Sequence, residues 1–166
     1  IAAQQGQYDA AWQEWLDTWR TETLDPEQRR TVLRALGACA QARGQPEQVV
    51  PLYQDLLQHA DTRVDGKLAL GQFCLDQGEV EEAAAQVRDL ADHPDPAVAQ
   101  TARLVWGQSL LAQERLAEAG QVLHAGLQGT LAPELAAEYD FALGSVAWGQ
   151  QQYEPAAAAF ARAELL

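Results

Sequence analysis

Residues 33–44 read LRALGACAQARG, a stretch in which Gly37 follows a bulky apolar residue and a second glycine, Gly44, comes seven positions later. The first part of this arrangement returns along the chain. A glycine directly preceded by Leu or Trp recurs at intervals of 34, 36 and 37 residues, at Gly37, Gly71, Gly107 and Gly144. A period of this length indicates that one helical hairpin is repeated several times along the chain.

The composition favours an all-helical fold. The chain has 166 residues, 48% of them apolar and 21% charged, which is enough to bury the core of one domain. Ala, Leu, Gln and Glu dominate, and these residues lose little conformational freedom in a helix. Asp25-Pro26 and Asp95-Pro96 each place an N-cap residue before a proline at the first helical position, where the missing N–H is not needed.

These signals divide the chain into a truncated unit over about 1–24 and full units over about 26–60, 64–93, 96–129 and 132–166. In the truncated unit we expect Gly6 to end a first helix, and the apolar stripe from Tyr8 to Trp19 to form the second. The full units predict helices over 26–43, 46–59, 64–77, 80–90, 96–113, 116–127, 133–149 and 153 to the end. Pro51 predicts a bend in the second of these helices.

The pattern resembles the tetratricopeptide repeat (TPR), in its degenerate bacterial form. The Leu-Gly position of the family is occupied at the four repeated glycines, and Gly6, Gly44 and Gly78 match its second, turn glycine, whereas Glu114 and Gln151 depart from it. The family's small position in the second helix is occupied by Ala11, Val49, Ala83, Ala119 and Ala156. Its next bulky position is occupied by Trp15, Tyr53, Val87, Leu123 and Phe160. The family's leading aromatic is replaced by Leu33, Lys67, Arg103 and Asp140.

The resemblance implies a single domain over 1–166, built as a right-handed α-α solenoid of antiparallel helix hairpins. In such a stack the glycine of a first helix admits a large residue of the second helix, and the first helices line a concave groove. The positions that face this groove in the family are Arg34, Leu68, Gln72, Leu75, Leu104, Gln108, Leu111, Phe141, Ser145 and Trp148.

This set is mainly apolar, and exposed apolar strips mark interaction sites. The resemblance therefore implies that a protein or peptide segment binds in the groove. The leucines equally fit packing against neighbouring helices or against another part of the parent chain. The basic clamp for a terminal carboxylate that some members of the family carry is not present, because Arg34 is the only cation in the set.

The charge excludes several classes of partner. The formal net charge is −13 with a single lysine, Lys67, so we expect neither nucleic-acid binding nor direct binding to anionic membranes. Carboxylates cluster on second helices and turns, at Asp9, Glu14, Asp17, Glu79, Glu81, Glu82, Asp89, Glu114 and Glu118. They indicate a solvated face or, alternatively, a surface for a cationic partner.

No residue pattern points to catalysis, a cofactor or a metal. Cys39 and Cys74 are 35 residues apart, which is the repeat spacing, and we expect buried free thiols, with a disulfide as the alternative. His59, His93 and His124 are expected near the ends of second helices, where a cation is favourable. The two serines, Ser109 and Ser145, have no histidine at a spacing that suggests a catalytic pair.

We therefore expect a non-catalytic protein–protein interaction scaffold. Family analogy offers an alternative, a scaffold segment of a bacterial envelope machine that exports exopolysaccharide or protein and recruits a modifying enzyme. A structural spacer that forms homo-oligomers through uncapped ends is a second alternative. The chain has no Met and starts within a helical pattern, which suggests a segment of a longer protein. The sequence leaves the compartment open between bacterial periplasm and cytoplasm.

Overall fold

The structure, a computed structural model, describes residues 2–21 and 23–164 and is all-helical over them. The nine α-helices of this part are α1 Ala2–Thr21, α2 Pro26–Ala42, α3 Val50–Gln58, α4 Arg63–Asp76, α5 Val80–Val87, α6 Pro96–Ala112, α7 Leu116–Gly126, α8 Pro133–Gly149 and α9 Tyr153–Ala163. Two 3₁₀ segments, Pro46–Val49 and Arg88–Leu90, complete the secondary structure. The chain divides into two compact units, residues 1–66 and 67–166, and the predicted single domain over 1–166 stays a prediction.

The four repeated glycines make the same contact. Each lies against the residue sixteen positions later, so a Cβ on Gly71 would stand 2.5 Å from Val87 and one on Gly107 only 2.6 Å from Leu123. The other two contacts join Gly37 to Tyr53 and Gly144 to Phe160. At Gly71, Gly107 and Gly144 a Cβ would not fit, so the large residue of the second helix rests directly on the backbone of the first. At Gly37 a Cβ would meet the Tyr53 hydroxyl at an ordinary 3.5 Å.

The turn that follows each of these glycines also repeats. The residues seven positions later all have φ between +60° and +79°, at Gly44, Gly78, Glu114 and Gln151. In each turn the next backbone N–H donates to the carbonyl five residues back, as from Gln45 to Ala40 and from Arg115 to Leu110. This bond closes the helix in a Schellman motif. Glu114 and Gln151 therefore adopt the left-handed conformation of the turn without being glycine.

Two helices begin at the predicted aspartates. The Asp25 carboxylate accepts a hydrogen bond from the Gln28 backbone N–H at 2.9 Å, and the Gln28 side chain accepts one from the Asp25 N–H at 3.0 Å. Asp95 accepts from the backbone N–H of Ala97 at 2.9 Å. These bonds satisfy N–H groups that have no partner within the helix, which explains why α2 and α6 start at their prolines.

In the first unit, two details of the sequence prediction are wrong. Gly6 does not end a helix, since α1 is continuous from Ala2 to Thr21. A glycine costs only about 1 kcal/mol inside a helix, and that is too little to end α1 at Gly6. The second detail concerns Pro51, which bends no long helix. It is the second residue of α3, after the 3₁₀ segment, where its missing N–H is not needed.

The second unit holds a core between α6, α7 and α8, formed by Leu104, Leu110, Ala119, Leu123, Tyr139, Ala142 and Val146. Tyr139 is fully buried, and its hydroxyl donates a 2.7 Å hydrogen bond to the carbonyl of Gln100. The Gln100 side chain in turn donates to the carbonyl of Gln128 at 3.0 Å. Tyr139 and Gln100 thereby join α8, α6 and the α7–α8 connection. The predicted helix over 80–90 is α-helical only to Val87 and continues as the 3₁₀ segment to Leu90.

In the second unit a polar contact recurs three times between neighbouring helical segments. Lys67 pairs with Asp89, and Arg103 donates to the carbonyl of Ala125 at 3.1 Å. The third contact joins Arg162 to Asp140, with nitrogen–oxygen distances of 2.6 and 2.9 Å. In all three the partners are 22 residues apart, and Lys67, Arg103 and Asp140 are among the positions at which the sequence departs from the TPR pattern.

Candidate functional site

The ten residues predicted for the groove differ widely in exposure. Phe141 and Trp148 are each 60% exposed, and Arg34 and Gln72 are exposed as well. The half-buried residues of the set are Leu68, Leu75, Gln108, Leu111 and Ser145. Leu104 is only 2% exposed, so its assignment to the groove is corrected: its side chain belongs to the core of the second unit, and Leu111 packs against that core.

The predicted residues of α8 form one exposed row. Phe141, Ser145 and Trp148 are spaced four and three residues apart, which places them on one face of the helix. Glu138 and Glu134, about one and two turns before Phe141, continue the row toward the start of α8, and both are exposed. We call these five residues the α8 row. It combines a negatively charged half with an aromatic half.

Two aromatic residues of α9 extend this surface. Phe160 lies against Phe141 with ring centroids 5.5 Å apart, and Tyr153 lies edge-on to Trp148 at 5.2 Å. Tyr153 is itself 57% exposed. We call Phe141, Trp148, Tyr153 and Phe160 the aromatic surface. Tilted ring pairs of this kind are favourable in themselves, and here they hold exposed rings in defined positions.

The repeat geometry explains why this surface forms on the last hairpin. Gly144 brings α9 close to α8, because a Cβ there would meet the Phe160 ring at 2.6 Å. Phe160 is thereby fixed beside Phe141. The Ser145 hydroxyl donates a hydrogen bond to the carbonyl of Phe141 at 3.0 Å. This hydroxyl is therefore bonded to the backbone of its own helix. A shallow, open cavity of about 320 Å³ remains, lined by Ser145, Trp148 and Phe160.

Sequence reasoning missed three residues that matter here. The repeat pattern places Phe160 only at the bulky position of the second helices and does not single out Tyr153, although an aromatic at the first turn of α9 is a signal for contact with the end of α8. Tyr139, whose burial raises its pKa to about 12, has no periodic signal because the equivalent residues of the other units are Val32, Gly66 and Ala102. Only the contact with Gln100 shows its role.

The remaining titratable residues fit structural roles. Cys39 and Cys74 are buried and free, and burial together with the nearby carboxylates Glu79 and Glu82 raises the pKa of Cys74 to about 11. His93 accepts a hydrogen bond from the Asp95 N–H through Nδ1 at 3.1 Å. The described residues contain no cluster of three or more metal-ligating side chains.

Several of the predicted surface carboxylates are paired with cations of the chain itself. Asp9 accepts from Arg43 at 2.5 Å, Asp89 pairs with Lys67, and Glu118 accepts from Arg115 at 2.6 Å. The Arg115 hydrogen bond lowers the pKa of Glu118. Exposed pairs of this kind contribute little to stability. They do show that part of the negative charge of each unit is neutralised locally.

Among the described residues, no helix combines the length and the apolar character needed to cross a bilayer. No protein-family model, no curated protein and no solved structure matches the chain. A functional assignment therefore depends on the geometry of the aromatic surface and of the hairpins that carry it.

Proposed function

We propose that this chain is a non-catalytic, helical-repeat scaffold that binds a segment of a partner protein on the aromatic surface of its last hairpin. The observation that carries this proposal is the exposure of Phe141 and Trp148, each 60%, in one row of α8. Large aromatic rings are usually buried on folding, and adjacent exposed ones mark interaction surfaces. Tyr and Trp are also the residues most enriched among those that dominate binding energy.

The proposal includes the architecture that the repeats imply, a right-handed solenoid of TPR-like hairpins. Two recurrences support it, the contact of each repeated glycine with the residue sixteen positions later and the left-handed turn seven positions after each glycine. A helix bundle without internal repetition would have no reason to repeat both features at equivalent positions.

Fixed aromatic side chains suit a binding role because little side-chain freedom remains to be lost. Phe141 is held by Phe160, and Trp148 by Tyr153. Ordering a flexible side chain on binding reduces affinity, so a surface that is ordered beforehand binds more tightly for the same area. No acid, base or nucleophile lies in the α8 row with a partner that would activate it, and the proposed role is therefore binding alone.

The test compares capture of partner proteins by the wild-type chain and by the double variant Phe141→Ala/Trp148→Ala. The bait is immobilised and incubated with an extract of the source cells, and the captured proteins are quantified by mass spectrometry. Leu127→Ala is the matched control, because Leu127 is a 39% exposed apolar residue outside the aromatic surface. We expect the wild type and the control to capture the same proteins and the double variant to lose them.

Both variants must keep their helical circular dichroism and their melting temperature, since only then does a loss of capture report on the surface. Because both rings are mostly exposed already, we expect their removal to change the free energy of unfolding by less than about 1 kcal/mol. Undiminished capture by a folded double variant would remove the proposed function.

A further inference from the structure

The chain repeatedly covers its own tryptophans with arginines. Arg43 stacks on Trp12 at 5.2 Å, with Arg29 on Trp19 at 5.6 Å and Arg88 on Trp106 at 5.4 Å, measured from the guanidinium carbon to the ring centroid. These are cation–π distances. Among the described residues no arginine lies over Trp148, the most exposed tryptophan of that part of the chain.

The surroundings of Trp148 can accept a cationic side chain. Although Tyr153 packs edge-on to its ring, Trp148 stays 60% exposed and borders the shallow cavity with Ser145 and Phe160. A cavity of about 320 Å³ admits one or two side chains and no folded domain. The faces of Trp148 and Phe160 carry the negative side of the aromatic quadrupole, which attracts a guanidinium group.

The charged half of the α8 row adds a second element of recognition. Glu134 and Glu138 are exposed and, over the described residues, form no ion pair with the chain itself. Glu138 is ten residues before Trp148, so the two are about 15 Å apart along the helix. An extended segment covers this distance with about five residues.

The total charge decides between a cationic partner and a second copy of the chain. Each copy carries a net charge of −13, so two copies repel one another before their aromatic surfaces meet. A basic segment is attracted instead, and the same field favours its encounter with the α8 row.

We infer that the partner segment is basic, that one of its arginines stacks on Trp148 in the cavity, and that a second basic residue pairs with Glu138 when it is about five positions away, or with Glu134 when it is about six positions away. This inference rests on the proposed function and specifies the chemistry of the partner. An apolar residue between the two basic positions contacts Phe141, which lies between Glu138 and Trp148 in the row.

The experiment begins with a display library of short random peptides, selected on the immobilised chain. Peptides that also bind Phe141→Ala/Trp148→Ala are removed. The best remaining peptide is titrated calorimetrically against the wild type and against Glu134→Gln/Glu138→Gln, which keeps the shape of the row and removes its charge. A matched peptide replaces each arginine in turn by citrulline, which is uncharged and nearly isosteric. The indole N–H resonance of Trp148, assigned by Trp148→Phe, reports contact with the ring.

We expect enriched peptides to carry an arginine and a second basic residue at one of the stated spacings. Replacing the stacking arginine by citrulline should weaken binding about 2- to 5-fold and reduce the shift of the Trp148 indole resonance. Removing both carboxylates should weaken binding by a similar factor and flatten its dependence on salt.

Selection of acidic or purely apolar peptides that still require Phe141 and Trp148 would overturn the inference and leave the proposed function standing. Affinity that is unchanged when citrulline replaces the stacking arginine would have the same consequence. A library that yields no peptide dependent on the two rings would count against both.

Discussion

Tyr139 fits into the second unit only because residue 126 is a glycine. A Cβ on Gly126 would stand 1.9 Å from the Tyr139 hydroxyl oxygen, and the ring fills the space that a side chain there would need. In the first unit the sizes are exchanged. Gly66 occupies the position equivalent to Tyr139, and a Cβ built on Gly66 would stand 2.8 Å from the Leu56 side chain. At each of these two helix contacts a large residue therefore packs against a glycine, and the large residue can belong to the earlier helix or to the later one.

The first prediction concerns this contact. We expect Gly126→Ala to destabilise the chain by about 2 to 3 kcal/mol, because the added methyl must push aside a fully buried tyrosine. The free energy of unfolding is measured by urea denaturation. Gly120→Ala in the same helix is the control, since its Cβ would meet Val146 at an ordinary 3.5 Å. Alanine there should be neutral or stabilise by up to about 1 kcal/mol. Equal effects of the two substitutions would contradict the prediction.

The second prediction uses the buried hydroxyl of Tyr139. Tyr139→Phe removes its hydrogen bond to the Gln100 carbonyl and should lower the free energy of unfolding at neutral pH by about 0.5 to 1.5 kcal/mol. Burial raises the pKa of Tyr139 from 10.0 to about 12, so the folded state holds this proton more tightly than the unfolded chain does. Its contribution is fully present below pH 10 and is lost as the pH rises toward 12.

In urea titrations across this range, the wild type should therefore lose about 2 kcal/mol more than Tyr139→Phe between pH 10 and 12. Burial also raises the pKa of the Cys74 thiol, to about 11, but both proteins share that group and it cancels in the comparison. Parallel pH profiles of the two proteins would show that the Tyr139 proton is not linked to folding.

A third prediction follows from the left-handed turns. Gln151 has φ +61° and Glu114 has φ +60°, a conformation that costs residues other than glycine about 1 to 2 kcal/mol. Gln151→Gly removes this strain and increases the freedom of the unfolded chain, so we expect a net stabilisation of about 0.5 to 1 kcal/mol. Gly78→Ala is the reverse change at φ +79° and should destabilise by a similar amount. Thermal unfolding compares the two, and loss of stability in Gln151→Gly would refute the strain argument.

The fourth prediction tests the polar bridge between α8 and α9. Asp140→Arg places two cations together and should lower the melting temperature, whereas the exchanged pair Asp140→Arg/Arg162→Asp should recover most of the loss. High salt should reduce both differences, because the Arg162 side chain is exposed. Failure of the exchanged pair to recover stability would mean that the two residues act separately.

The sequence predicts where most of the helices begin and end because glycine, proline and aspartate act locally. Asp25 and Asp95 start helices through hydrogen bonds to residues two or three positions away, and Gly44 and Gly78 end them through their own backbone. Pro51 was placed wrongly since its effect depends on where the helix begins, and the sequence does not show the 3₁₀ segment that precedes α3.

The candidate surface was predictable only in part. Phe141, Ser145 and Trp148 were implied by the resemblance to the TPR family, and in the structure they share one face of α8. Leu104 occupies an equivalent position of its own hairpin and is buried, because the core of the second unit closes over α6. Packing against neighbouring helices decides which positions of a repeated pattern stay exposed to solvent. The sequence pattern alone does not show which helices pack together.

The recurrent contacts of the hairpins join residues only sixteen and 22 positions apart, as at Gly107 and Leu123 or at Asp140 and Arg162. Folds dominated by such short separations have low contact order and fold rapidly. A hairpin can therefore close soon after its second helix leaves the ribosome, before the next one has been synthesised. Assembly of the protein would then proceed one hairpin at a time, in the direction of translation.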